Sequence, residues 1–253
     1  MYSHDTVNLA LLLSAIGVLD RENAQICGVS IRAIRHWRAG DRRGDRVGRP
    51  ETPKCPRCHD CRLDETAYPY LLGLYLGDGH IVRTAKSYLL TIACANKWPG
   101  LLGEAQLAMG RVMPSSSVFL RARPGCAYVT SVSKHWPCLF PQHGTGRKHE
   151  RKIELEPWQQ EIVTKYSAEF VRGRLHSDGC RSVNRIQRRL IDGERWYEYS
   201  RYFFTNYSVD ILRLCGEALD RLGVAWRFST PSTISVARRD AVARLDEFVG
   251  PKY

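Results

Sequence analysis

Leu71-Leu72-Gly73-Leu74-Tyr75-Leu76-Gly77-Asp78-Gly79 and Val171-Arg172-Gly173-Arg174-Leu175-His176-Ser177-Asp178-Gly179 decide how this chain folds. The two stretches lie 100 residues apart, each is helix-compatible, and each carries small residues four apart and ends in Asp-Gly. Residues i and i+4 share a helix face. Gly73 with Gly77, and Gly173 with Ser177, therefore leave one face of each helix free of bulk. Such faces let two helix backbones approach closely. That is a sufficient reason for glycine in a helix interior, where it costs about 1 kcal/mol against alanine. Gly79 and Gly179 read as residues just past the helix end, where a positive φ suits glycine.

Asp78 and Asp178 then sit at the C-terminal ends of their helices. An anion is disfavoured there by roughly 0.3–1 kcal/mol at an exposed site. Bringing two acids together adds like-charge repulsion. A divalent cation between them relieves both costs, and Mg²⁺ takes a few carboxylate or carbonyl oxygens plus waters and substrate phosphates. Taken singly, each Asp-Gly is equally compatible with a plain turn after a buried helix.

With both motifs in register, the chain resembles the LAGLIDADG family of homing endonucleases in its two-motif, single-chain form. The resemblance implies an α+β fold of two pseudo-symmetric αββαββα repeats forming a saddle on DNA. It implies a site-specific double-stranded DNA endonuclease dependent on Mg²⁺ or another divalent cation, acting as a monomer with internal pseudo-two-fold symmetry. The eighth motif residue is the family's metal-binding acid, which maps onto Asp78 and Asp178; the backbone carbonyls of Gly77 and Ser177 are further candidate ligands. The sixth position, often acidic in the family, is Leu76 and His176. Arg172 and Arg174 make the second motif unusually polar and are expected to point at a partner domain or at DNA. A non-cleaving DNA-binding transcriptional regulator of the same architecture is the alternative, and RNA processing as a maturase is a third reading.

The two halves read alike beyond the motifs. After Asp78 come strands at Ile81–Thr84 and Tyr88–Ala95, Asn96, and an apolar helix over Gly100–Val112. After Asp178 come strands at Ser182–Ile191 and Tyr197–Thr205, Asn206, and a helix over Ser208–Leu222 with apolar residues at helical spacing. Tyr128–Ser133 and Thr233–Ala237 are later strands, each followed closely by a basic residue. Lys134 lies 56 residues after Asp78, and Arg238 lies 60 after Asp178. Repeated order at near-equal spacing points to duplication. The family often places a basic residue beside the metals in each repeat, and Lys134 and Arg238 are the positional candidates. Lys134 can shift its pKa when desolvated; Arg238 would stabilise charge.

The formal net charge is +12 over 253 residues, which suggests a polyanionic partner, here double-stranded DNA. No stretch approaches the roughly 20 apolar residues of a membrane span. Leu9–Leu19 is short, lacks a basic leader and does not read as a signal peptide. Nine cysteines, an odd number, suggest reduced thiols in a cytoplasm. The resemblance assigns DNA contact to strands after each motif. Arg83 and Lys86 are the candidates in the first repeat, and Arg181, Asn184, Arg185, Gln187 and Arg188 in the second. Arg suits guanine, and Asn or Gln suits adenine. Arg147, Lys148, His149, Arg151 and Lys152 form a further basic segment between the repeats.

The N-terminus carries a second pattern, with helices at Val7–Ile16, Arg21–Cys27 and Ile31–Arg38 and a turn at Gly28-Val29-Ser30, where Ser30 is a suitable N-cap. This resembles the helix-turn-helix family, which would turn Arg32, Arg35, His36 and Arg38 towards DNA; a small helical bundle with a basic face is the alternative. Residues 39–54 are rich in Arg, Gly and Pro and read as an exposed linker. Cys55 and Cys58 follow at the spacing of half a zinc knuckle, but no second Cys-x-x-Cys pair is present. Cys61 and His59 are awkward local partners and Cys27 a distant one, so free thiols are preferred over structural Zn²⁺. The expected organisation is 1–40 helix-turn-helix-like, 41–65 basic linker, 66–155 first repeat and 156–253 second repeat.

Overall fold

The computed structural model describes residues 2–39, 55–59, 61–190 and 193–252. Two compact units divide the chain, 1–52 and 53–253. The first unit holds three helices, α1 (His4–Ala15), α2 (Asp20–Ile26) and α3 (Ile31–Arg38). Ser3 caps α1 and Ser30 caps α3, each accepting a backbone N–H from three residues on. Ala10, Ala24, Ile34 and Trp37 form its small core. Asn23 is fully buried and donates to the Ala10 carbonyl, tying α2 to α1.

The second unit repeats one order of elements. Helix α4 (Ala67–Leu76) leads to strands β1 (Gly79–Arg83) and β2 (Tyr88–Ala95), helix α5 (Pro99–Val112), strands β3 (Val118–Arg123) and β4 (Cys126–Ser133), and the short helix α6 (Trp136–Leu139). Helix α7 (Pro157–Lys165) connects to the second set: α8 (Ser167–Asp178), β5 (Gly179–Leu190), β6 (Gly193–Thr205), α9 (Val209–Arg221), β7 (Arg227–Thr230), β8 (Thr233–Val236) and α10 (Arg239–Asp246). Each half is αββαββα. The sheets are antiparallel with strand orders β1-β2-β4-β3 and β5-β6-β8-β7. Local bonds repeat as well: Asn96 N–H donates to the Gly125 carbonyl, and Asn206 N–H to the Ser232 carbonyl.

One core runs through both halves, built from Leu71, Leu72 and Tyr75 of α4, Phe170 and Val171 of α8, Leu90 and Ile92 of β2, Phe204 of β6 and Leu212 of α9. Each such side chain contributes about 1.5–3 kcal/mol by leaving water. Helices pack on the face of each sheet that carries Leu90 and Ile92 in the first and Tyr202 and Phe204 in the second.

The motif helices meet at their glycines. A Cβ on Gly73 would lie 2.7 Å from the Phe170 carbonyl oxygen, and one on Gly173 would overlap the Tyr70 carbonyl oxygen. These contacts are equivalent under the 100-residue offset, so the crossing has pseudo-two-fold symmetry. Gly79 and Gly179 depart from the sequence reading. Neither takes a positive φ, because each opens a strand rather than closing a helix in a left-handed cap. Glycine is needed there for space: a Cβ would lie 2.5 Å from Tyr75 Cα at Gly79 and 2.7 Å from Leu175 Cα at Gly179.

Gly173→Val should therefore lower the unfolding free energy sharply, by more than about 2 kcal/mol. Gly103→Ala, in α5 with open space around it, should be neutral or stabilising by up to about 1 kcal/mol. Equal effects of the two changes in chemical denaturation would refute the close crossing.

Candidate functional site

The helix crossing brings the two motif acids to one end. Helix α4 stops at Leu76, and α8 runs through Asp178. A Cβ built on Gly77 would lie 3.0 Å from Asp178 Oδ2, so the carboxylate of one motif reaches the seventh position of the other. Asn206 Nδ2 donates to that same oxygen at 2.8 Å. Asp78 stays open to solvent, yet its pKa is pushed up to about 6. Water lost on its protein side is the larger cause and the Asp178 charge the next, with Lys252, Lys148 and Arg174 opposing both.

Three cations surround the pair. Lys148 Nζ donates to the carbonyls of Tyr75 and Gly77, the latter at 2.8 Å. Lys252 Nζ donates to the carbonyls of Ser177, at 3.2 Å, and Gly179. A helix C-terminus leaves its last carbonyls without partners and attracts positive charge, so a lysine is well placed on each motif end. Burial among other cations lowers the Lys148 pKa to about 7 and also depresses that of Lys252. Arg174 is fully buried; its Nη1 donates to the Gly73 carbonyl at 3.1 Å, its guanidinium lies 4.6 Å over the Phe204 ring, and its Nη2 is 3.8 Å from Asp178 Oδ2.

The carbonyls of Gly77 and Ser177, expected as metal ligands, each accept a lysine ammonium. Lys134 and Arg238 are both exposed, and Arg238 pairs with Asp240 at the start of α10. The cations beside the acids are instead Lys148 and Lys252. They lie 70 and 74 residues after their acids, each 14 beyond the residue expected, so the same spacing argument contained them. Arg174 turns into the helix crossing, and Arg172 stacks 4.7 Å over Tyr70 and pairs with Glu104. His176 is buried at the sixth motif position: Tyr70 hydroxyl donates to its Nδ1 at 3.0 Å, and its Nε2–H donates to the Val249 carbonyl at 2.8 Å.

The residues at the crossing fit a hard divalent cation. The donor set is two carboxylates from pseudo-equivalent positions, with room for solvent at Asp78, as Mg²⁺ requires.

Side chains alternate along strands, so the pairing register sorts the candidate DNA contacts by face. In the first sheet Leu90, Ile92 and Val129 face the helices. The opposite face carries His80, Thr91, Tyr128, Thr130, Phe119, Arg121 and Arg123. Arg83 shares the helix-side face with Ile81, beyond the edge of the core, and Lys86 is exposed in the β1–β2 turn. In the second sheet Tyr202 and Phe204 face the helices and pair with Arg181 and Gly179. Arg181, Arg185 and Gln187 follow on that side and are held by acids: Arg181 by Asp246 at 2.9 Å, Arg185 by Glu198 at 3.0 Å, and Gln187 by Glu194. Asn184 lies on the opposite face with Tyr199, Arg201 and Phe203. Arg201 sits between the Tyr199 and Phe203 rings, at 6.0 and 5.5 Å. The Arg188 side chain lies outside the described residues. In the first unit Arg32, Arg35, His36 and Arg38 are exposed on α3, with Arg35 and Arg38 both paired to Asp20.

Among the described residues no helix is long and apolar enough to cross a membrane. No family model and no curated protein matches the chain. Solved structures are similar to it. The homing endonuclease I-DmoI in complex with DNA and Mn is 14% identical with a TM-score of 0.48, covering 75% of this chain and 99% of that one. The homing endonuclease I-WcaI bound to its DNA recognition sequence is 14% identical with a TM-score of 0.47, covering 75% and 83%. The LAGLIDADG meganuclease I-AabMI bound to uncleaved DNA is 13% identical with a TM-score of 0.46, covering 71% and 82%.

Burial, with the Arg172 charge second, lowers the His176 pKa to about 4. The unfolded chain therefore takes up a proton before the native state does. Stability from this group is present above about 6.5 and is lost as pH falls from there through about 4. Urea midpoints should decline over that window in the parent and decline less in His176→Gln. Parallel pH profiles would contradict the buried neutral imidazole.

Proposed function

We propose that this chain is a site-specific double-stranded DNA endonuclease that uses a divalent cation held by Asp78 and Asp178. The observation that carries the reading is the approach of the Asp178 carboxylate of one repeat to Gly77, the neighbour of Asp78, in the other. A cation there supplies Lewis acidity for phosphodiester hydrolysis and a template for attacking and leaving oxygens. Asp78 and Asp178 contribute the charge that holds it. Asn206 fixes the rotamer of Asp178. Lys148 and Lys252 flank the pair with positive charge, which favours a scissile phosphate beside each acid. The sheet faces turned away from the helices present Arg121, Arg123, Arg201 and Asn184 among aromatic rings, a composition suited to a duplex groove and backbone. The three-helix N-terminal unit would add binding through Arg32, His36 and their neighbours in the manner of a helix-turn-helix.

A second reading, a non-cleaving DNA-binding regulator, is favoured by the counter-charge. Arg174, Lys148 and Lys252 already neutralise the two acids and reduce their need for a metal. Incubation of supercoiled and linear DNA with Mg²⁺ separates the two readings. The endonuclease reading expects nicking or cutting in the parent, with loss in Asp78→Asn and Asp178→Asn; cleavage unchanged in both would end the carboxylate mechanism. Specific, metal-independent binding without nicks would support the regulator.

DNA affinity should fall steeply with salt. Arg201→Ala and Arg121→Ala should each weaken binding and reduce the salt slope by about one phosphate contact. Arg181→Ala should leave the slope unchanged and cost stability through the lost Asp246 pair. A larger slope change in Arg181→Ala than in Arg201→Ala, by fluorescence anisotropy, would reverse the assignment of faces.

A further inference from the structure

We propose that Cys55, Cys58, His135 and Cys138 form a structural zinc site that clamps the segment entering the first repeat onto helix α6. The ligand atoms of these four side chains all lie within 4.8 Å of one another. Tetrahedral zinc, with Zn–S near 2.3 Å and Zn–N near 2.0–2.1 Å, sets its ligand atoms about 3.5–3.8 Å apart. Here Cys58 Sγ is 3.2 Å from Cys138 Sγ, and Cys138 Sγ is 3.8 Å from His135 Nδ1. Three thiols and an imidazole converging without a carboxylate are a donor set for zinc rather than for magnesium or calcium.

The backbone supports the cluster from both sides. Cys55 and Cys58 flank a tight turn in which His59 N–H donates to the Cys55 carbonyl at 3.0 Å. His135 and Cys138 have the same spacing, and Cys138 N–H donates to the His135 carbonyl at 3.0 Å at the start of α6. Two short pairs, 80 residues apart along the chain, thus face each other as the halves of a knuckle. Sequence spacing alone supplies only the first half. Cys61, a candidate local partner, turns its thiol towards the His59 carbonyl and stays outside the group. The His59 ring instead packs edge-on against His135, with centroids 5.2 Å apart.

The site would act on the motif helix through packing. Trp136 and Leu139 of α6 are fully buried in the core, and Tyr68 of α4 donates to the Leu139 carbonyl at 2.5 Å. A metal tying residues 55–58 to α6 therefore fixes the entry to α4 and the floor beneath it. The second repeat needs no such clamp: by the spacing that matches Lys134 with Arg238, its counterpart of Cys138 is Val242, which is buried in the core. Binding converts three thiols to thiolates and leaves the imidazole neutral. Three protons go to solvent, and the metal centre carries a net charge of minus one, next to Arg57 and Lys134 in sequence.

The test uses the full chain, purified under reducing conditions and reconstituted with ZnCl₂. Elemental analysis should find one zinc per chain in the parent and in Cys94→Ser, whose buried cysteine lies outside the group. Zinc content should fall to near zero in Cys58→Ser and Cys138→Ser. His135→Cys should retain it, keeping a four-ligand site even if a serine variant fails to fold. Cobalt substitution should give the visible absorption of a tetrahedral thiolate centre, and a chelator should lower the melting midpoint of the parent. A parent that takes up no zinc would overturn the proposal, as would a Cys58–Cys138 disulfide found under the same conditions by peptide mass analysis.

Discussion

The contact of two helix backbones at Gly73 and Gly173 is the constraint on which the rest depends. Each glycine lies against a carbonyl of the opposite helix, Phe170 for one and Tyr70 for the other. Any side chain there would push the helices apart. Glycine costs helix stability at both places, and the closeness lets Leu71, Leu72, Phe170 and Val171 share one core across the two repeats. It also sets the separation of everything attached to the helix ends, the two acids and the strands that begin at Gly79 and Gly179.

From that crossing follows an electrostatic arrangement. Two acids are held at helix C-termini, the unfavourable end for an anion. Lys148 and Lys252 answer the exposed carbonyls, and Arg174 brings a third positive charge from below. Lost solvation first, and the Asp178 charge second, leave Asp78 with a raised pKa despite the three cations. The same cluster therefore bears on both readings proposed for the chain.

The repeat architecture was largely legible in the residues. Alternation marks β4, helical spacing of apolar residues marks α9, and an apolar run marks α5. The strands β3 and β7 carry no such signal. Their residues are mostly exposed, so no apolar period betrays them. The short helix α6 leaves no mark in the sequence, because four residues carry no periodicity. At the candidate site, Asp78 and Asp178 stand out through their repeat, whereas Lys148 reads only as part of a basic segment and Lys252 carries no local signal. A lysine's role depends on which carbonyl its long side chain reaches, and local sequence does not encode that.

The sequence by itself determined the duplicated order of elements, the glycine faces and the positions of the two acids, because these rest on local spacing and helical or strand period. Only the tertiary structure decided which face of β5 lies under the helices. A one-residue step in register exchanges Arg181 for Ser182, and pairing with Tyr202 settles it. Likewise, only folding brought Cys55 and Cys58 to His135 and Cys138. Convergence of side chains distant in the chain is a property of how α4 and α6 pack together, and no spacing within either segment contains it.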